Sequence, residues 1–223
     1  MKGKIAEVFE SIQGEGLYLG ERQLFVRFFG CNLKCRFCDT KLNRFIEYEP
    51  QELIEEIKSY YEGYHSISFT GGEPLLQKDF LKELLYYSCC YGYQNYLETN
   101  GTLLDGLSEV IDYLDIVAMD LKLPSSTGLE CFWDRHRRFL EIASRKEVFL
   151  KTVICQSTKE DDLREVIILI KEINRAATLV LQSNSYEDYS RLNVKLENFR
   201  DICLKENIST CIIPRIHKVI GVK

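Results

Sequence analysis

No stretch of this 223-residue chain is apolar for long enough to span a bilayer, and nothing near its start reads as a secretion signal. Met1-Lys2-Gly3-Lys4 passes at once into mixed polar and apolar residues, so a cytoplasmic protein with no membrane contact is expected. Positive charge is short as well: 29 Lys and Arg face 34 Asp and Glu, a net charge of -5. That deficit argues against a general nucleic-acid surface. Histidine is scarce, and His65, His136 and His217 lie far apart with no ligand spacing between them. Linkers, low-complexity tracts and domain boundaries are missing, which leaves residues 1–223 as one expected domain with a single core. Hydrophobic residues make up 45% of the chain, and this excludes disorder.

Cysteine, by contrast, is plentiful. Nine cysteines, an odd number in a chain with no secretion signal, point to reduced thiols and a metal site instead of a disulfide framework. Three of them lie in Gly30-Cys31-Asn32-Leu33-Lys34-Cys35-Arg36-Phe37-Cys38-Asp39-Thr40, at positions i, i+4 and i+7, directly after the apolar run 24–29. Three thiolates in so small a loop can hold a metal or an iron–sulfur cluster, yet cannot close a four-ligand site. Spacing alone leaves a [4Fe–4S] cluster, a zinc ion and no metal open. A cluster so held would keep one iron free for a substrate or cofactor. Cys89, Cys90, Cys131, Cys155, Cys203 and Cys211 form no second ligand pair and are expected to be mostly small buried hydrophobes.

The rest of the pattern alternates. Strands are expected over 4–12, 22–29, 66–70, 93–99, 116–119, 148–153, 179–181 and 210–213. Helices are expected from Pro50 through Leu53, Ile54, Ile57 and Tyr61, through Phe80, Leu81, Leu84 and Leu85, and over 107–111, 129–143, 163–173 and about 189–205. Gln13-Gly14-Glu15-Gly16 breaks the first strand with a turn. Such alternation means βαβ units and a mainly parallel sheet. Six βα units are visible where a full barrel has eight, so the expected α/β fold is an open, partial (βα)6 TIM-like barrel.

Polar clusters fall where such a barrel carries its chemistry. The cysteine loop, Thr70-Gly71-Gly72-Glu73-Pro74, Glu98-Thr99-Asn100-Gly101, Asp120-Leu121-Lys122 and Gln182-Ser183-Asn184-Ser185 each follow an expected strand. In a parallel barrel these positions gather at the C-terminal face. Taken singly, Thr70 to Pro74 could be a tight strand-to-helix turn, and Thr40 a helix N-cap.

C-x3-C-x2-C after one barrel strand with G-G-E-P after the next resembles the radical S-adenosylmethionine superfamily. Ser11 to Gly16, Arg27, the cysteine loop through Thr40, Thr70 to Pro74, Glu98 to Gly101 and His217-Lys218-Val219-Ile220-Gly221 narrow the resemblance to the 7-carboxy-7-deazaguanine synthase family. The resemblance implies a [4Fe–4S] cluster on Cys31, Cys35 and Cys38, with S-adenosylmethionine on the open iron. It implies further S-adenosylmethionine contacts from Phe37, Cys38, Asp39, Gly72, Glu73, Glu98, Asp120, Leu121, Lys122, Gln182, Ser183, Asn184 and Ser185. Ile12, Gln13, Gly14, Arg27 and Thr70 would hold a pterin substrate, and Thr40 would ligate Mg2+.

The activity so implied is a lyase reaction. Reductive cleavage of S-adenosylmethionine yields a radical that takes hydrogen from C6 of 6-carboxy-5,6,7,8-tetrahydropterin. The ring then contracts with loss of ammonia to 7-carboxy-7-deazaguanine, on the way to queuosine or another 7-deazapurine. A flavodoxin or ferredoxin as electron donor and a homodimer are implied as well. Asp120-Leu121-Lys122, Gln182-Ser183 and Pro214-Arg215-Ile216-His217-Lys218 depart from the family's usual patterns. Two rivals stand beside this reading. One is an activase for a glycyl-radical enzyme, against which Gln13 to Gly16 and Thr40 speak, and the other is a zinc-binding adaptor.

Overall fold

The computed structural model describes residues 1–40, 42–60 and 63–214. Tyr61 and the tail from 215 to 223, with His217 to Gly221, lie outside the described residues. A nine-stranded sheet runs in the order β3-β1-β2-β4-β5-β6-β7-β8-β9. Its strands are β1 (Gly3–Ile12), β2 (Arg22–Phe28), β3 (Ile46–Tyr48), β4 (Ser66–Gly71), β5 (Asn95–Thr99), β6 (Ile116–Asp120), β7 (Glu147–Ile154), β8 (Leu179–Ser183) and β9 (Thr210–Ile212). From β2 through β9 every pairing is parallel, while β1 pairs antiparallel with β2 and β3. The helices are α1 (Pro50–Lys58), α2 (Lys78–Cys90), α3 (Leu104–Val110), α4 (Pro124–Thr127), α5 (Trp133–Ala143), α6 (Glu160–Ile173) and α7 (Tyr189–Lys205). Six βα units followed by an edge strand make an open sheet, as expected for a partial barrel.

Local chemistry explains the helices. Pro50 opens α1, where the Glu52 carboxylate accepts the Glu49 N–H at 2.9 Å. Leu53, Ile54 and Ile57 then make one buried stripe. In α7 the Asp188 side chain caps the helix by accepting from the Ser190 N–H at 2.9 Å.

Four expectations need correction. The helix expected over 129–143 begins only at Trp133, because Gly128, at φ 73°, closes the short α4 with its N–H on the Pro124 carbonyl. The strand expected from Tyr93 starts at Asn95, since the Tyr93 N–H is drawn to the Ser88 carbonyl at the end of α2. The three-residue β3 was not expected; it is too short and too exposed to leave a pattern. Among the six scattered cysteines, Cys155 and Cys203 are buried and Cys211 is half-buried, but Cys89, Cys90 and Cys131 are exposed.

Alternation along the parallel strands divides the interior. One set of side chains, including Leu24, Val26, Phe28, Ile67, Phe69, Leu97, Val117, Met119, Leu150, Leu179 and Leu181, packs into the main core with the helices. The alternate set forms the inner face. Toward the strand starts it is apolar, with Tyr96, Ile116, Ala118, Phe149 and Val180 in a second cluster under Tyr18. Toward the strand ends it becomes polar: Arg27 pairs in register with Thr70, Glu98 with Ala118, and Asp120 with Lys151. The boundary between the two layers is the floor of the site.

Candidate active site

A cavity of about 870 Å³ opens above this floor. Cys31, Cys35 and Cys38 line it together with Phe37, Asp39, Thr40, Ile12, Gln13, Gly14, Arg27, Thr70, Gly72, Glu98, Asp120 and Lys122. Residues from every polar cluster but the last, at the end of β8, therefore share one volume. All three loop cysteines are free thiols. Burial pushes the Cys31 and Cys35 thiols up, and Lys122 acts against that rise at both.

The loop is held by backbone, not by side-chain bulk. Gly72 donates its N–H to the Phe28 carbonyl at 3.0 Å, and Glu73 donates to the Gly30 carbonyl at 2.8 Å. A Cβ on Gly72 would stand 1.8 Å from the Gly30 oxygen, so only glycine permits this approach. Gly71, at φ 120°, is equally confined against the Phe28 backbone. From the other side, the Arg36 N–H reaches the Thr127 carbonyl of α4 at 3.1 Å.

Glu73 is fully buried. Its carboxylate accepts from the Leu75 N–H at 3.1 Å, the Thr99 hydroxyl at 2.9 Å and the Asn100 N–H at 2.8 Å. Burial raises its pKa to about 7 against these donors. It ties the ends of β4 and β5 together beneath the cavity.

The loop after β1 starts at the opposite end of the barrel and folds up along the inner wall. Gly16, at φ 67°, lies where a Cβ would strike the Phe149 ring at 2.7 Å. The Gln13 carboxamide donates to Gln23 at 2.9 Å and to Glu98 at 3.0 Å, while its oxygen accepts the Glu15 N–H at 3.0 Å. Lys151 bridges Glu15 at 3.0 Å and Glu98 at 3.1 Å. Burial opposes that ammonium, but the carboxylates of Glu15, Glu98 and Asp120 hold its pKa well above the ordinary lysine value. Sequence reasoning missed Lys151 because it lies mid-strand, outside every motif. Its sequence trace is a charged residue inside the largely apolar run 148–153.

Arg27 pairs with Glu7 at 3.0 Å and lies over the Phe9 ring, which itself stacks on Phe25 at 5.2 Å. This fixes a planar guanidinium on the cavity wall. Asp120 accepts from Lys122 at 2.8 Å through one oxygen, while its other oxygen is buried without a hydrogen-bond partner.

The remaining expected residues stand elsewhere. Leu121 is buried in the core. Gln182 is buried behind Glu15, to which it donates at 3.3 Å, and its own oxygen has no hydrogen-bond partner. Asn184 shapes the turn after β8 through Glu187 and Tyr186, and Ser183 is buried beside it while Ser185 is exposed.

The donor set is three thiols in one loop on one cavity wall. Three separate thiols around a shared cavity suit a group that takes each sulfur on a different iron.

The model of the Radical SAM superfamily matches residues 25–154. A 7-carboxy-7-deazaguanine synthase of Geobacter sulfurreducens is 33% identical over 98% of this chain and 97% of its own length. One from Archaeoglobus fulgidus is 34% identical over the whole of both chains. The crystal structure of QueE from Escherichia coli superposes with a TM-score of 0.66 at 21% identity, covering 95% of this chain and 94% of that one. That superposition supports the open barrel. The thiols, the glycine-clamped loop and the full-length relatives lead to one assignment: this chain belongs to the 7-carboxy-7-deazaguanine synthase family of radical S-adenosylmethionine enzymes.

Proposed function

We propose that the protein converts 6-carboxy-5,6,7,8-tetrahydropterin into 7-carboxy-7-deazaguanine with loss of ammonia, in a reaction that needs Mg2+ and feeds 7-deazapurine synthesis. The observation that carries this is the shared cavity, in which three thiols face Gln13, Arg27, Thr70, Glu98 and Lys151. Cys31, Cys35 and Cys38 would hold the [4Fe–4S] cluster. Gly72, Phe37, Asp39, Glu98, Asp120 and Lys122 would border S-adenosylmethionine, with Glu73, Leu121 and Gln182 buried behind them. When bound, these cofactors supply the radical that removes hydrogen from the substrate.

The chain's own residues orient and exclude. Arg27, stiffened by Phe9 and Glu7, binds the substrate carboxylate through its planar fork. The Gln13 side chain is spent on Gln23 and Glu98, so its part is to hold Ile12 and Gly14 against the ligand by backbone. Thr70 meets the substrate from the end of β4. Thr40 would offer a hard hydroxyl oxygen to Mg2+, which would supply a Lewis acid beside the substrate. A flavodoxin or ferredoxin delivers the electron, and the working form is a homodimer.

Anaerobically reconstituted protein, given the pterin, reductant, S-adenosylmethionine and Mg2+, should release 7-carboxy-7-deazaguanine. Absence of that product under those conditions overturns the proposal.

A further inference from the structure

Asn100, at the end of β5, is 5% exposed and has every polar atom engaged. Its N–H is taken by Glu73 at 2.8 Å and its carbonyl faces the His136 Nε2 at 3.3 Å. Its side-chain oxygen accepts from the Thr102 N–H at 3.1 Å and the Thr102 hydroxyl at 2.5 Å. With the oxygen so occupied, the amide nitrogen must point the other way, which removes the usual ambiguity of a carboxamide. There it donates to the Asn32 side-chain oxygen at 2.9 Å and stands 3.9 Å from the Cys31 sulfur. Asn32 is itself tied to Thr102 at 2.9 Å, closing the ring.

The loop sulfurs are not equivalent in this respect. Cys31 Sγ accepts from the Leu33 N–H at 3.4 Å and is approached by Asn100, whereas Cys38 Sγ faces the Thr40 carbonyl at 3.8 Å.

We propose that Asn100 is a positioning residue for the cluster, holding an N–H donor on the Cys31 sulfur so that the one-electron-reduced state is easier to reach. It rests on the reading of Cys31, Cys35 and Cys38 as cluster ligands. An N–H beside a ligating sulfur stabilises the more negative, reduced cluster and raises its potential. Replacing the side chain also removes its bond to Asn32, but the loop keeps the Asn32 bond to Thr102 and the Glu73 N–H on the Gly30 carbonyl.

The test is a mediated redox titration of reconstituted protein, followed by electron paramagnetic resonance, on the parent, Asn100→Ala and Asn100→Asp. All three should carry the same iron and sulfide per chain. The midpoint potential should fall in Asn100→Ala and fall further in Asn100→Asp, which keeps the shape but exchanges the donor for a charge. Thr102→Val removes the hydroxyl but keeps the Thr102 N–H on the carboxamide oxygen, so its fall should be smaller than that of Asn100→Ala. Unchanged potentials in fully loaded variants overturn this inference and leave the family reading intact. Loss of cluster loading in Asn100→Ala overturns it in favour of simple loop support. A parent that binds no cluster overturns both.

Discussion

Gly72 and Gly30 meet backbone to backbone, so closely that the space for one methyl group between them does not exist. The contact joins the exit of β4 to the base of the cysteine loop, which makes the paired glycines a structural clamp as well as a ligand wall. Gly72→Ala must therefore part the two segments. We expect a loss of about 3 kcal/mol in unfolding free energy and poor cluster loading, read by urea denaturation and iron content. Parent-like values for both would show that the loop yields.

Lys151 is the cation on which the inner wall depends. Lys151→Met leaves Glu15 and Glu98 in place with no ammonium between them, a change of the kind that costs about 3–5 kcal/mol. Adding Glu98→Gln to that variant should recover part of the loss. Urea denaturation of the single and double variants decides it, and a single-variant loss below about 1 kcal/mol would contradict the assignment.

Thr40 is expected to act only through Mg2+. Thr40→Ala should raise the Mg2+ concentration for half-maximal turnover about tenfold or more, with cluster absorbance unchanged. An unaltered Mg2+ response would remove Thr40 from the metal's coordination.

His136 makes acid stability measurable. Burial lowers its pKa to about 4 from the ordinary 6.5, so the fold keeps it neutral while the unfolded chain protonates it. The stability it contributes is complete above pH 6.5 and is lost as the pH falls toward 4, worth about 3 kcal/mol across that window. His136→Gln keeps a donor for the Asn100 carbonyl but does not titrate. Cluster-free parent and variant compared by urea unfolding at pH 7 and pH 4 should differ by that amount in their pH dependence. Parallel profiles would show that another group controls the acid limb.

Much of this was legible in the chain because it depends on local order. Cys31, Cys35 and Cys38 announce a three-thiolate site by spacing, and apolar runs alternating with amphipathic stretches announce βα units, since period and spacing survive without coordinates. Element ends were less legible because single backbone hydrogen bonds decide them. The Tyr93 N–H is drawn to Ser88 at the end of α2, and the Gly128 N–H closes α4 on Pro124, contacts that leave no trace in hydrophobic periodicity.

What the sequence showed by itself was three cysteines in one loop, the alternation of most strands and helices, and the polar residues at strand ends. Only the tertiary structure decided that Lys151 sits between Glu15 and Glu98, that Gln13 is occupied by Gln23, and that Asn100 turns its nitrogen toward Cys31. These pairs are separated by up to 136 residues along the chain. The reason is burial. A charge or amide removed from water must find its partner wherever the barrel's inner wall brings one, and that wall is assembled from β2, β5, β7 and the loop after β1 at once.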